Sequence, residues 1–282
     1  MSQNLNSKTP TQWKDAGNEA FKVHDYDTAI INYSNAIKLD DTQSVFFSNR
    51  SRCYKFINEY EKAFKDAITS IELDHNNIKA HLLCGQLLAQ MGKLGIRDIS
   101  AIELAIKRMT KALTLCAGQN KQAFHRDLEN YINRAKKLLW YKKRELNIKE
   151  KKELQQKLNG LIENSTKYNE EQKKQLKQDV ISQIGDPEEP FNFEIPEYFC
   201  CKITFDFMKE PTMTSQGITY EKEHLFEHFR KNGHFDPVTR KPVRPNECVP
   251  NINLKQAIDE YLEKNPWCYE YKYGETPDDI EF

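Results

Sequence analysis

The sequence lacks any apolar run that could cross a membrane, since no window approaches about eighteen consecutive apolar residues. It also lacks net charge, because its 42 Lys and Arg are matched by 42 Asp and Glu. A neutral chain has no global basic field to attract nucleic acid or a membrane surface. There is no secretory apolar run at the start, and the seven cysteines are odd in number and scattered. We therefore expect a reducing compartment, the cytoplasm or the nucleus.

Ligand spacings that would hold zinc are also missing. Residues 196–250 contain six Cys and His side chains without a Cys-x-x-Cys step. They are Cys200, Cys201, His224, His228, His234 and Cys248. Neighbours on an extended segment point to opposite sides, so Cys200 and Cys201 cannot both face one ion. We expect no metal and no cofactor, and packed rather than nucleophilic thiols.

What the chain does contain is a repeat. Small residues recur every 34 positions, at Gly17, Ser51 and Gly85, and the first two are each followed by small residues twelve and nineteen positions later. This is the tetratricopeptide pattern, in which two antiparallel helices cross closely. A chain of 282 residues has room for this domain, a second domain and a connector. We expect a multidomain, mainly α-helical chain with a three-repeat α-solenoid over residues 10–140.

The third repeat departs from the period. Its two later small residues, Ala105 and Ala112, arrive eight positions late. We place an insertion around residues 92–100, in the turn between the two helices, where added length costs little. The repeats are then residues 10–43, 44–77 and 78–120. A capping helix over residues 121–140 is expected to cover the last apolar face.

Four hydrogen-bond donors fall on one face of the first helices of the repeats. They are Lys14, Asn18, Asn49 and Lys79. These positions share a face because their places in the repeat are three or four residues apart. Two ammonium and two carboxamide groups in one concavity suit carboxylates. The alternative is that the lysines are solvated and the asparagines are local caps, but their common face favours a binding site.

The sequence around these donors resembles one class of tetratricopeptide domain. Segments 14–18, 49–54 and 79–81 are similar to the carboxylate-clamp domains, which hold the Glu-Glu-Val-Asp tail of cytosolic heat-shock chaperones. The resemblance implies that the clamp grips the terminal carboxylate and the last Asp of the tail. It extends the site to four further residues, Leu82, Leu83, Phe124 and Asp127. The two leucines replace aromatic residues of some members and keep an apolar wall.

Residues 141–185 form a connector rich in Lys, Glu, Gln and Leu, a composition that favours helix. Its apolar stripe consists of Leu154, Leu158, Leu161 and Ile162. Asn169 is placed to cap a second helix and Gly185 to end it, so we expect a helical hairpin. The apolar stripe must be covered either by the partner helix of the hairpin or by a second subunit. Fourteen Lys and Arg outnumber seven Asp and Glu between residues 134 and 179. Nucleic acid is therefore an alternative partner, but the interspersed Glu residues favour a solvated helix face.

Residues 194–266 contain the pieces of a small α+β fold. Gly217 lies between two short strands, residues 221–232 form an amphipathic helix, and residues 254–262 form a closing helix. Their order resembles the U-box, the metal-free relative of the RING domain. The resemblance implies a platform that docks a ubiquitin-charged conjugating enzyme and has no catalytic nucleophile of its own.

The same resemblance assigns individual residues. It implies an apolar groove for the conjugating enzyme at Ile203, Phe205 and Pro237, bordered by Met208. Arg240 matches the arginine that donates to the enzyme and to ubiquitin at once. Structural roles go to three polar residues, His228, Asp236 and Asn251. Ile203 or Phe205 taken alone would more often be a core residue.

The whole chain is similar to co-chaperone ubiquitin ligases that join a clamp domain to a U-box. The resemblance implies a homodimer that binds chaperone tails, a conjugating enzyme and ubiquitin, and that directs ubiquitin onto misfolded clients for proteasomal degradation. No nucleic acid or membrane partner is expected, and a non-enzymatic adaptor is the alternative function. Residues 267–282 are additional, and we expect a disordered acidic end, with competition for the clamp as the alternative.

Overall fold

The computed structural model describes residues 8–117, 122–187, 191, 193–270 and 277–282. The chain divides into two compact units. The first unit consists of Met1–Leu139 together with Thr276–Phe282, and the second of Trp140–Glu275. Among the described residues, no helix is long and apolar enough to span a bilayer.

Six helices form three successive hairpins in the first unit, which confirms the three-repeat solenoid. They are α1 (Pro10–Lys22), α2 (Tyr26–Leu39), α3 (Ser44–Phe56), α4 (Tyr60–Leu73), α5 (Ile78–Lys93) and α6 (Ile99–Ala117). Thr9 begins α1 with a reciprocal capping box to Gln12, and the side chains of Asp25 and Asn77 cap α2 and α5. Each cap satisfies backbone N–H groups that the first turn of a helix leaves without a partner.

The small residues of the repeat lie where paired helices approach each other. A Cβ atom on Gly17 would stand 2.6 Å from the Tyr33 ring, and one on Gly85 would overlap Met109 Cγ. In the second repeat Ser51 is fully buried, and its hydroxyl donates to a carbonyl of α4 at 2.6 Å. The recurring small side chains are therefore explained by close packing between the two helices of each hairpin.

The eight additional residues of the third repeat are distributed differently from the prediction. Counted from the small residue of each first helix, α5 extends three residues further than α1. The turn at residues 94–98 is two residues longer than that at 23–25, and α6 has three more residues before Ala105 than α2 has before the equivalent Ala29. The insertion therefore lengthens both helices rather than the turn alone. In its added helical turn Gly92 approaches Ile102 so closely that a Cβ atom would stand 2.5 Å away.

A single helix, α7 (Gln122–Glu163), covers both the predicted capping helix and the first arm of the connector. The two segments that were predicted separately, residues 121–140 and the first arm of 141–185, are thus one continuous helix. The physical reason is local, because the sequence has neither Pro nor Gly between residues 122 and 159 and so nothing interrupts the hydrogen-bond ladder. Residues 118–121, the start of the predicted capping helix among them, lie outside the described residues.

The second arm of the connector is α8 (Glu170–Ile184). Asn169 caps it in a reciprocal box with Gln172, and Gly185 ends it with a φ of 81°, which confirms both predicted ends. An ion pair between Lys177 and Glu163 joins α8 to α7 at 2.5 Å. The apolar stripe of α7 is partly covered, since Leu158 and Ile162 are half-buried while Leu154 and Leu161 are 47% and 70% exposed.

The segment predicted to be a U-box forms a three-stranded antiparallel sheet with two helices. The strands β1 (Pro211–Met213), β2 (Thr219–Glu221) and β3 (Val249–Pro250) lie in the order β2-β1-β3, and the helices are α9 (Lys222–Asn232) and α10 (Ile252–Lys264). Gly217 turns the chain between β1 and β2 with a φ of 80°. Buried Tyr220, Leu225, Phe229 and Ile258 join the sheet and helices in one core.

The predicted tail divides into two differently placed parts. Trp267 and Cys268 belong to the buried core of the U-box, so the fold extends beyond residue 266. Residues 277–282 lie in the first unit, with Ile280 only 3% exposed and Phe282 packed against the repeat core. The end of the chain is therefore not the disordered segment that we expected. Residues 271–276 lie outside the described residues.

Candidate functional site

A cavity of about 460 Å³ opens between the first three helices of the repeat unit. Its lining consists of Asp15, Asn18, Glu19, Phe21, Lys22, Tyr33, Asn49 and Arg52. The cavity therefore contains both predicted asparagines, and its volume is in the range of sites for small ligands and peptide ends, about 300–1,000 Å³.

The two asparagines are joined by hydrogen bonds within this cavity. Asn18 Oδ1 accepts from the Tyr33 hydroxyl at 2.9 Å and from Asn49 Nδ2 at 3.3 Å. Burial raises the pKa of Tyr33, so its hydroxyl stays a donor at physiological pH. With the Asn18 oxygen engaged, the amide NH₂ group is what remains to bind an acceptor such as a carboxylate.

Neither of the two predicted lysines belongs to the lining of this cavity. Lys14 Nζ is 3.1 Å from Asp15 Oδ1, and Lys79 is exposed on the first turn of α5. The cations that line the cavity are Lys22 and Arg52, which the sequence prediction missed. Arg52 could have been found from its spacing, because it lies three residues after Asn49 and shares its helix face.

The other predicted clamp residues take different positions. Leu83 is 7% exposed and belongs to the repeat core, which corrects its assignment to the wall of the site. Leu82 and Phe124 are partly buried around Ile78, and Asp127 is exposed on α7.

In the U-box, two loops have the same backbone hydrogen bonds 35 positions apart. Bridges close the first loop (residues 200–207) between Cys200 and Phe207 and the second loop (residues 235–242) between Phe235 and Pro242. The second residue of each loop donates its N–H to the carbonyl of the seventh at 2.8 Å. The sixth residue donates back to the carbonyl of the second, at 2.8 Å in the first loop and 2.9 Å in the second.

The sixth residues of these loops are the two that were predicted to act on partners. Phe205 has a φ of 63° and Arg240 a φ of 61°, the left-handed region that bulky residues avoid at a cost of about 1–2 kcal/mol. Phe205 is 75% exposed, and the Arg240 guanidinium lies 5.3 Å from the centre of the Phe235 ring. The loops thus present an apolar ring and a cation at equivalent positions.

The second loop is held by a buried carboxylate. Asp236 accepts hydrogen bonds from the hydroxyls of Thr214 and Tyr220, at 2.8 and 2.9 Å, and from the N–H groups of Val238 and Thr239, at 3.0 and 2.9 Å. Burial opposes the charged form, but the four hydrogen bonds prevail and lower the pKa of Asp236. Burial, followed by the bond to Asp236, raises the pKa of Tyr220. The predicted structural role of Asp236 thus has a geometric basis.

The chain segment after the first loop is held by a second acid, Glu221, which the sequence prediction missed. Its carboxylate accepts from the N–H of Lys209 at 2.6 Å and from that of Glu210 at 3.1 Å. Its own N–H donates to Cys201 Sγ at 3.3 Å. Among the described residues, no group of three or more Cys, His, Asp and Glu is placed to hold a metal ion. In both places hydrogen bonds to a side-chain acid fix the backbone.

The remaining predicted residues of the U-box support these loops. Ile203, in the first loop with Phe205, is half-buried. Pro237, in the second loop with Arg240, is half-buried as well. Met208 is 1% exposed and belongs to the core, so it supports the first loop from beneath and its placement on the border of the groove is corrected.

Two polar side chains fix the elements around the loops. His228 Nε2 lies 3.2 Å from the Phe235 carbonyl. Asn251 caps α10 at Leu254 N and donates to Thr219 Oγ1 at 3.0 Å, which links α10 to β2.

The U-box domain family matches residues 195–267. An Arabidopsis thaliana protein, the E3 ubiquitin-protein ligase CHIP, is 30% identical over 272 residues, which cover 91% of this chain and 94% of the relative. The chain belongs to the CHIP family of E3 ubiquitin-protein ligases.

Two further similarities cover smaller parts of the chain. Stress-induced-phosphoprotein 1 of Caenorhabditis elegans is 36% identical over 78 residues, which cover 28% of this chain and 24% of that protein. The second tetratricopeptide domain of Spaghetti (RPAP3), solved with the Hsp90 peptide SRMEEVD, is 31% identical and covers 39% of this chain and 94% of that chain with a TM-score of 0.34. As a CHIP family member, the chain is a U-box-type ubiquitin ligase with tetratricopeptide repeats.

Proposed function

We propose that this CHIP family member binds the acidic carboxyl-terminal tails of heat-shock chaperones in the cavity of α1–α3, and that it directs ubiquitin onto the misfolded clients of those chaperones for proteasomal degradation. The observation that carries the proposal is the hydrogen-bonded arrangement of Tyr33, Asn18 and Asn49, which leaves an amide donor in a cavity that also holds Arg52. Oriented donors and a planar guanidinium suit a terminal carboxylate.

The U-box part of the proposal rests on the two loops. An aromatic ring that is 75% exposed, as in Phe205, is a favourable anchor when a partner covers it. A charged conjugating enzyme would dock there, and Arg240 would donate to the enzyme and to ubiquitin together because guanidinium has five N–H groups. The chain then acts by positioning the thioester for attack by a client lysine rather than by a nucleophile of its own. We further propose that it works as a homodimer in the cytoplasm.

Reconstituted ubiquitination tests the U-box part. The wild-type chain is mixed with activating enzyme, a conjugating enzyme and ubiquitin, and chain formation is followed over time. Phe205→Ala should reduce the rate about tenfold or more, as loss of an interface anchor does, whereas Phe226→Ala, on an exposed part of α9, should leave it unchanged. Unchanged rates in Phe205→Ala would remove the proposed docking surface, and no chains with wild type would favour a non-enzymatic adaptor.

Peptide binding tests the cavity. A labelled peptide ending in Glu-Glu-Val-Asp should bind the intact chain, and Asn49→Ala should weaken it about tenfold, while Asn76→Ala, an exposed loop asparagine, should not. Lys14→Ala should also weaken binding of the peptide, because it removes a positive charge beside the cavity. Equal affinities for wild type and Asn49→Ala would overturn the assignment of the cavity.

A further inference from the structure

The last six residues of the chain lie on the repeat unit in a defined conformation. Pro277–Asp279 form a 3-10 turn, and residues 277–282 belong to the first unit although they follow the U-box in sequence. Asp278, Asp279 and Glu281 are exposed, while Ile280 is buried. An acidic segment has thus placed its apolar side chain inward and its charges outward.

One side chain of the repeats holds the backbone of this segment. Lys93 Nζ donates to the carbonyls of Asp278 and Ile280, at 2.7 and 2.8 Å. These carbonyls lie at the end of the 3-10 turn, where backbone acceptors have no partner within the turn and a lysine can satisfy them. This part of the attachment is therefore a charge-assisted pair of hydrogen bonds to the backbone, which requires a particular chain conformation.

Apolar contacts supply the second part of the attachment. Ile280 is 3% exposed, and Phe282 packs against the large core cluster of the repeats, which includes Leu87 and Met109. The surface therefore selects a segment with apolar side chains two positions apart and a turn in front of them. Glu281, which lies between the two apolar residues, is exposed.

The position of Lys93 connects this contact with the insertion. Lys93 is the last residue of α5 and lies in the additional helical turn that the insertion gives this helix, eight residues after Gly85. The equivalent positions of the first two repeats, eight residues after Gly17 and Ser51, are acidic, Asp25 and Glu59. The irregular part of the third repeat and the additional carboxyl terminus thus meet at one contact.

We propose that the third repeat carries a second peptide-binding surface, formed around Lys93 at the end of α5, and that its occupant is residues 277–282 of the same chain. None of the described residues that hold the tail lines the cavity of α1–α3, so we assign the tail to a surface separate from the clamp cavity. Docking within one chain benefits from a high effective concentration, which lets a contact of two side chains persist. The same small size makes the tail displaceable, so a partner segment of the same apolar pattern would compete with it.

Digestion with a carboxypeptidase that prefers aromatic carboxyl termini tests the proposal on the intact protein. Mass spectrometry follows the release of Phe282, whose rate depends on how often the tail is undocked. Lys93→Met keeps the aliphatic stem and removes the donors, and it should accelerate the release about tenfold or more. Ile280→Asp should do the same by removing the buried side chain.

Matched variants separate this surface from general effects. Lys107→Met, at an exposed lysine of α6, and Glu281→Gln, at an exposed position of the tail, should leave the release rate within about twofold of wild type. Equal rates in wild type and Lys93→Met would overturn the proposal, as would wild-type release as fast as from a free peptide of residues 275–282. Acceleration by Asn49→Ala instead of Lys93→Met would place the tail in the clamp cavity and contradict the assigned surface.

Discussion

The two candidate sites of this chain are built in opposite ways. The cavity of the repeat unit takes its residues from regular helices, so that Asn18 and Asn49 meet because the repeat brings equivalent faces together. The U-box site takes Phe205 and Arg240 from loops, where each is held in a left-handed conformation by backbone hydrogen bonds. A helical site follows from periodicity, whereas a loop site depends on the buried groups that fix the loop.

The largest expected effect concerns the buried carboxylate of the second loop. Asp236→Ala leaves four donors without their acceptor, so we expect the U-box to lose about 3 kcal/mol or more of unfolding free energy. Asp259→Ala, at an exposed residue of α10, should change it by less than about 0.5 kcal/mol. Urea unfolding followed by tryptophan fluorescence measures both. Comparable losses in the two variants would show that the network does not fix the loop.

The same carboxylate predicts a pH dependence. Because the folded-state pKa of Asp236 is lowered below 3.8, its charge stabilises the fold above that pH. This contribution is lost as the pH falls through the folded pKa. We therefore expect the stability difference between wild type and Asp236→Asn to be constant near neutral pH and to shrink below about pH 3.8. Urea unfolding at a series of pH values measures it, and a difference that does not change with pH would contradict the charged form.

A smaller effect is expected in the helical region. Gly85→Ala forces a Cβ atom against Met109 Cγ and the Ala105 carbonyl, so it should destabilise the repeat unit by about 1–3 kcal/mol. Gly160→Ala, at a position of α7 with open space around it, should instead stabilise the helix by about 0.5–1 kcal/mol. Thermal unfolding distinguishes the two. Equal shifts in both variants would mean that the packing of α5 and α6 does not require a small residue.

The smallest change in stability is expected for substitutions of Arg240, although their effect on ubiquitin transfer should be large. Arg240→Asn keeps a residue that tolerates the left-handed region, so unfolding free energy should stay within about 0.5 kcal/mol of wild type. Ubiquitin transfer should nevertheless fall about tenfold, since the multi-donor guanidinium is gone. Arg240→Lys serves as the second variant, because it keeps the charge and loses the fork. Full activity in Arg240→Asn would show that the Arg240 side chain does not contribute to ubiquitin transfer.

The comparison also explains what the sequence could and could not predict. The period of 34 residues predicted the helices of each repeat and the close contacts of Gly17 and Gly85. It did not predict that the insertion would lengthen the helices, because that prediction considered only the low entropic cost of a longer loop. The added helical turn also buries Met91, and this burial of apolar surface stabilises the longer helix. Nor did it predict the docking of Ile280, since two apolar residues are too few to form a recognisable pattern.

In the U-box, the resemblance to a family identified Phe205 and Arg240, but not the reason for their exposure. That reason lies in hydrogen bonds between distant parts of the chain, such as those of Asp236 with Thr214 and of Glu221 with Lys209. No local pattern contains such pairs. Met208 and Leu83 show the converse error, because an apolar residue next to a site in sequence can equally well complete the core.

If the tail-binding cavity and the ubiquitin platform act on one substrate, transfer of ubiquitin to that substrate requires both, and a single transfer assay can measure this. The substrate is a lysine-bearing protein that ends in an acidic chaperone tail, compared with the same protein lacking the tail. We predict that Asn49→Ala loses tail-dependent transfer but keeps self-ubiquitination, whereas Phe205→Ala loses both. Undiminished transfer to the tailed substrate by Asn49→Ala would contradict the account.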